Sequence, residues 1–438
     1  MWDSLNSTEK YYVFTITLIA LVVIVKNLMS KNKLAIWGVN NMLMATILYY
    51  GIVGPLLAIY NKETYLRLLN HRPYFETAWL GLLLFMISYL IGYAIIKKPK
   101  VSEIGMVEMS DADISKIKKG LYYLFGLGIF CVFLLQGKGI FTSLSFWERN
   151  SDKEALYSGG FIGYVINGMN LLMVAVPMIV YLWRKKKLGL VQTMLLLFVA
   201  FAVFSAAGFR YRLVLSGFSA LSVFYLSVNK RIRILPVALL ILGFIAYMGV
   251  IEVTRNYGRG LDLSKVQNNS FSDNVLLGFK ESAVFMATGL VMEKAGNNFE
   301  YIGFDPLIQS IVTPIPRFLW PGKPTGNYLV NIKKSYSMKN DNMGNGQAIL
   351  NYGEYYMAFG FGGILFFGFF IGLLLSKLNA IGLKHIHNPW MLCFYVLNAS
   401  YAYVIFSRGY MPQQTMLFFF TVFPAYFMFK RFMKNKIK

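Results

Sequence analysis

Apolar runs long enough to cross a bilayer, parted by short polar turns, recur from one end of this chain to the other, and they dictate its fold class. A window of about 19 residues finds about eleven such spans, roughly 11–28, 36–58, 76–96, 120–136, 161–183, 189–207, 212–228, 234–251, 353–375, 390–406 and 412–429. Composition agrees: of 438 residues 56% are hydrophobic and 14% charged, and mean hydropathy is +0.51. That is far more apolar surface than a soluble core of this size hides. The chain is expected to be an all-α polytopic integral membrane protein. It divides into spans 1–8 (residues 1–251), one large polar loop of short helices (252–350), and spans 9–11 with a basic tail (351–438). Asp3 and Glu9 precede the first run and no small-residue cleavage site follows it, so the first helix is expected to be retained.

Basic clusters follow every second span: Lys26, Lys31 and Lys33; Lys97, Lys98 and Lys100; Arg184 to Lys187; Lys230, Arg231 and Arg233; and Lys430 to Lys438. The positive-inside rule makes those loops cytoplasmic, with the amino terminus outside and the carboxy terminus inside. By this topology about 23 Lys and Arg lie inside with 4 acidic residues, against about 20 and 16 outside. The net charge of +23 is then mainly a topology signal and no nucleic-acid partner is expected. Cys131 and Cys393 sit in apolar helical runs, where they read as packing residues.

Lysine and arginine divide differently. About nine of the 13 arginines fall outside, against the rule, whereas about 19 of the 30 lysines fall inside. Arginine presents a planar fork that grips phosphate or carboxylate oxygens in two places, while lysine acts as a point charge. Arg210 and Arg212 lie in the turn between spans 6 and 7, and Arg408 in the turn between spans 10 and 11. A charge so close to hydrocarbon is costly unless it faces a cavity or a partner.

The large loop opens with Arg255 and carries Pro314-Ile-Pro-Arg-Phe-Leu-Trp-Pro-Gly-Lys323-Pro324, which sets Arg317 and Lys323 beside Trp320 on a proline-stiffened backbone. Such rigidity lowers the ordering cost of binding. An apolar stripe over 272–295 suggests helices lying on the membrane surface. Glu354, near the outer end of span 9, is the best placed external carboxylate, with a helix cap or ion pair as its alternative reading. His71, His385 and His387 form no zinc motif, Asp111-Ala-Asp113 is isolated, and no Walker A or dinucleotide fingerprint is present.

The set Gly208-Phe-Arg210, Arg255, Pro-Arg317-Phe-Leu-Trp-Pro-Gly-Lys-Pro, Gly353-Glu354 with Phe359-Gly-Phe-Gly-Gly363, and Ser407-Arg-Gly409 resembles the Wzy-type O-antigen and capsule polymerases. Arg149 to Gly160 also fits the Arg-x10-Gly pattern of that family. The resemblance implies a GT-C-like glycosyltransferase of the bacterial inner membrane. Such an enzyme moves a growing glycan from undecaprenyl pyrophosphate onto the sugar end of a new lipid-linked unit at the periplasmic face. No cofactor or metal is expected; membrane lipid, a Wzz-type chain-length regulator and a Wzx-type flippase are the implied partners. On this reading Arg210, Arg317 and Arg408, supported by Arg255, hold the donor diphosphate, and Glu354 is the base or orienting residue, with Asp305 and Glu300 as rivals. Trp320 and Tyr328 stack on sugars, and Lys323 and Arg149 hold the acceptor diphosphate. The alternatives are a lipid-linked oligosaccharide flippase, whose polar residues should line a path at mid-membrane depth, and an O-antigen ligase. Ligases typically carry a histidine in the large outer loop, and residues 252–350 have none.

Overall fold

The computed structural model describes residues 2–30, 32–66, 69–99, 110–136, 161–206, 210–227, 234–254, 282–324, 328 and 348–432. The described parts of all eleven apolar stretches fold as helix, since a backbone in hydrocarbon must close its hydrogen bonds within its own segment. The elements are α1 (Ser7–Met29), α2 (Lys33–Ile36), α3 (Val39–Ile47), a π-helical turn Leu48–Val53, α4 (Gly54–Tyr60) and a minimal hairpin of β1 (Tyr65–Leu66) and β2 (Leu69–Asn70). Next come α5 (Phe75–Ile95), α6 (Asp111–Gln136), α7 (Phe161–Gly168), α8 (Leu171–Arg184), α9 (Leu190–Ala206), α10 (Arg210–Leu226) and α11 (Ile234–Thr254). The chain ends with α12 (Ser282–Lys294), α13 (Asp305–Val312), α14 (Asn351–Lys384), α15 (Pro389–Ser407) and α16 (Met411–Phe432).

Among the described residues, 7 helices are both long and apolar enough to cross a membrane, fewer than the eleven spans expected. α9 and α10 have 17 residues each, short of the ~20 that a crossing takes.

α15 is buried along its length and is sheathed by α3, α8, α10, α14 and α16. The tightest pair is α5 with α14, where Gly92, Gly368 and Gly372 let the backbones meet and the Ser376 hydroxyl donates to the Tyr93 carbonyl at 2.8 Å. Small residues of this kind replace the hydrophobic drive that is missing between helices in lipid. Contacts sort the helix ends into two layers. In one, Trp37 meets Tyr225, Trp183 and Arg184 meet Phe224, and His385 meets Phe429, so Arg184 of one basic cluster lies there. In the other, Arg72 grips Glu9, Tyr211 meets Arg408, and Glu354 meets Met411.

α12 corrects one expectation. The stripe predicted an interfacial helix with one exposed face, but Ser282 and every residue from Val284 to Met292 are buried against α4, α5 and α14. An all-round apolar helix belongs inside a bundle. Residues 272–281 of the stripe lie outside the described residues.

α14 breaks at Phe359 (φ −149°, ψ 32°) and Gly360 (φ 61°, ψ −145°). The carbonyls freed there, of Met357 and Ala358, accept the Ile302 and Gly303 amides at 2.9 and 3.1 Å. The remainder, 361–384, is long enough to cross alone, so 351–358 forms a separate turn that carries Glu354. The Gly360 backbone is open only to glycine, and Gly360→Ala is expected to cost about 1–3 kcal/mol. Thermal unfolding in detergent measures it, and an unchanged midpoint would show that the break relaxes.

Candidate functional site

Two turns separated by about 200 residues in sequence meet at the layer opposite Arg184, since neighbours in a bundle need not be neighbours in sequence. Arg210, Tyr211 and Arg212 open α10; Arg408 ends α15. The Tyr211 ring receives both cations, with Arg212 Cζ at 5.4 Å and Arg408 Cζ at 6.0 Å from its centroid. Arg212 is 2% exposed and its Nη1 lies 3.9 Å from Met169 Sδ; Arg210 is 9% exposed. Arg408 is half-buried and, among the described residues, no carboxylate pairs with it. It is therefore the arginine of this cluster best placed to meet a ligand.

Its backbone is firmly held. Gln414 Nε2 donates to the carbonyls of Ile405, at 3.1 Å, and of Arg408. The next residue, Gly409, donates its amide to the Ile349 carbonyl at 2.7 Å, and a Cβ there would sit 2.7 Å from the Leu350 carbonyl oxygen. That close approach clamps the Arg408 turn to the start of α14. Gly409→Ala is expected to push the two apart and weaken any activity through Arg408 while leaving the guanidinium in place; an activity equal to wild type would show that the clamp is dispensable.

Glu354 is fully buried. It accepts the Met411 amide at 2.9 Å through Oε1 and 3.2 Å through Oε2, and the Tyr328 hydroxyl donates to Oε1. The carboxylate thus caps the N-terminus of α16, where a negative charge meets the helix dipole and an orphan amide. Tyr328 is buried, its ring tilted against that of Tyr410 with centroids 5.4 Å apart, and its hydroxyl is pushed well above the ordinary tyrosine value by burial and then by the Glu354 charge, so it keeps the proton it donates. It faces Glu354 rather than an open surface on which a sugar would stack.

The proline motif separates its two cations. Lys323 is buried, and its ammonium donates to the carbonyls of Thr313 at 3.2 Å and Ile315 at 2.8 Å; the Tyr164 hydroxyl of α7 also donates to Thr313, at 3.2 Å. It holds the loop's own backbone instead of facing outward. Burial, and then the neighbouring Arg317 charge, place it below the ordinary lysine value. Arg317 is half-buried, and Trp320 is exposed. Lys323→Met would orphan the Ile315 carbonyl and leave that of Thr313 with Tyr164 alone, and the expected loss of stability is about 1–3 kcal/mol. Because the folded-state value is lowered, the native chain binds fewer protons than the unfolded one between the two values, so wild-type stability rises with pH across that alkaline window. The variant should lack that rise, which unfolding midpoints taken against pH will report.

Arg149 and Arg255 lie outside the described residues, as do Gly208 and Phe209. Asp111 pairs with Lys187 at 3.4 Å and Asp113 bonds to Ser110 at the start of α6, so the Asp-x-Asp pair serves a helix end. No group of three or more metal-ligating side chains occurs among the described residues. Sequence reading did not single out Tyr211, Tyr410 or Gln414. The signal for Tyr211 was its place between two arginines; for the others there was none, in a chain with 29 tyrosines. Comparison with protein-family models, curated proteins and solved structures found no match to this chain.

Proposed function

We propose that this multi-pass membrane protein is a glycosyltransferase that polymerises lipid-linked oligosaccharide units at the outer face of the bacterial inner membrane. The observation that carries the reading is Arg408: a half-buried guanidinium beside a second cation, with Glu354, the carboxylate that caps the helix after its turn, engaged by Tyr328 and Met411. An uncompensated fork in that setting suits an anionic ligand. The diphosphate of an undecaprenyl-linked glycan is such a ligand, and it arrives from the membrane at which these helix ends stand.

In the proposed step the acceptor hydroxyl attacks the donor's anomeric carbon, the bond from that carbon to the diphosphate oxygen breaks, and the new glycosidic bond forms. Arg408 carries the charge developing on the leaving diphosphate, and buried Arg210 and Arg212 add positive potential behind it. Arg317 offers a second fork from the proline loop. The acceptor's proton passes to a base, for which Glu354 is the candidate. A flippase should place its helix break at mid-depth; here the break falls near the start of α14 and its carbonyls are already engaged by Ile302 and Gly303.

Lipid-linked glycans from cells with and without the gene provide the test. Loss of a ladder to single units displayed outside, restored by wild type but not by Arg408→Ala, is the expected result. Units accumulating on the cytoplasmic side would make the chain a flippase and overturn the reading.

A further inference from the structure

The segment from Phe304 to Trp320 wears its polarity inside out. On α13 the polar Gln309 and Ser310 are buried, whereas Leu307, Ile308 and Ile311 face outward, Ile311 at 65% exposure. On the loop that follows, Phe318 and Leu319 are 81% and 68% exposed, while the Lys323 ammonium turns inward onto backbone carbonyls. A water-facing helix would show the reverse pattern, and contiguous apolar surface of this kind marks an interaction site.

Its position says what covers it. Phe304 packs on Phe359 at 4.8 Å, at the break in α14, and on Phe366 at 6.5 Å, within the stretch that crosses. Phe366 and Phe370 are themselves exposed on that helix and touch each other, so the apolar surface of the loop runs unbroken into the lipid-facing side of α14. Between Pro306 and Pro324 the only charges are Arg317 and Lys323, both positive. Arg317 precedes the exposed Phe-Leu-Trp, the order in which a cation meets headgroup phosphate and an aromatic sits at the boundary.

We infer that α13 and the proline loop dip into the membrane beside α14, with Leu307, Ile308, Ile311, Phe318 and Leu319 among the acyl chains and Arg317 at the headgroup phosphates. The proline motif is then a membrane-seated element, and this holds whatever reaction the chain performs. It requires only that α14 crosses the bilayer.

Spin labels test it on the full chain in nanodiscs of anionic phospholipid. Cysteines are placed at Ile308, Ile311 and Leu319, with Glu300 as an exposed control on the same layer, in a background lacking Cys131 and Cys393. Dissolved oxygen should relax the first three labels more than an aqueous nickel chelate does, and the order should invert at Glu300. Nickel-dominated relaxation at 308, 311 and 319 would overturn the inference, as would shielding from both agents, which would mean that a second copy or another protein covers the patch. The native chain supplies an independent reading: brominated acyl chains should quench wild-type tryptophan fluorescence more than that of Trp320→Phe, and equal quenching would place Trp320 out of the membrane.

Discussion

Arg408→Ala is expected to lower the rate of glycan polymerisation about 10²–10³-fold, the effect of removing one fixed donor aimed at developing negative charge. The fold should survive, because the Arg408 backbone is held by Gln414 and by its own amide bond to Val404, and the side chain is half-buried. Arg408→Lys keeps the charge but loses the fork, and should recover only part of the rate. Arg212→Met removes a cation that lies beneath the same tyrosine ring and does not open to ligand. Its effect combined with Arg408→Ala should fall short of the product of the two single effects, since both act on one local field. Rates are read as lipid-linked ladder length against time in membranes, with protein level checked in parallel. Full-length ladders from Arg408→Ala would refute the assignment of the diphosphate to this turn.

Glu354→Ala carries the second large effect, and it is first an effect on stability. It leaves the Met411 amide and the Tyr328 hydroxyl without their acceptor in a buried site. Lost capping and an unsatisfied buried donor together are expected to cost roughly 3 kcal/mol or more. Glu354→Gln retains one acceptor oxygen and should cost less, about 1–2 kcal/mol, so it folds and can be assayed. That variant separates the two roles of the carboxylate. A stable Glu354→Gln protein that makes no polymer identifies Glu354 as the base; one that polymerises normally reduces it to a cap, and the proton must then go to another group. Tyr328→Phe distinguishes further, since it frees Oε1 from one hydrogen bond while the Met411 amide still holds the carboxylate.

Glu354 and Lys323 show how far the sequence could be read. Both were found as polar residues out of place in an apolar chain, and both are special. Their directions could not be read. Lys323 looks like a ligand-binding cation in the string Trp-Pro-Gly-Lys-Pro, yet it turns back on Thr313 and Ile315. Which way a side chain points depends on carbonyls that the fold brings to it, and those two lie eight and ten residues upstream. Tyr328 was read as a sugar platform because an aromatic in a polar loop often is one; its partner, Glu354, lies 26 residues away. The stripe at 282–294 was apolar enough to read as interfacial, and only the packing of α4, α5 and α14 around it showed that it is interior.

That the apolar runs fold as helix follows from the chain alone. A bilayer sets the length of an apolar run and forbids unpaired backbone within it, and both conditions act on one segment at a time. The recurrence of basic turns after every second span is equally local. Which turns meet belongs to another order of information. In lipid no hydrophobic force distinguishes one pair of apolar helices from another, so pairing rests on where glycines allow contact and where polar groups find partners. Gly92 against Phe369, Gly409 against Leu350, and the Met411 amide on Glu354 are contacts between distant parts of the chain. Contacts of this kind bring Arg408 to Tyr211 and set the proposed site at one end of the bundle.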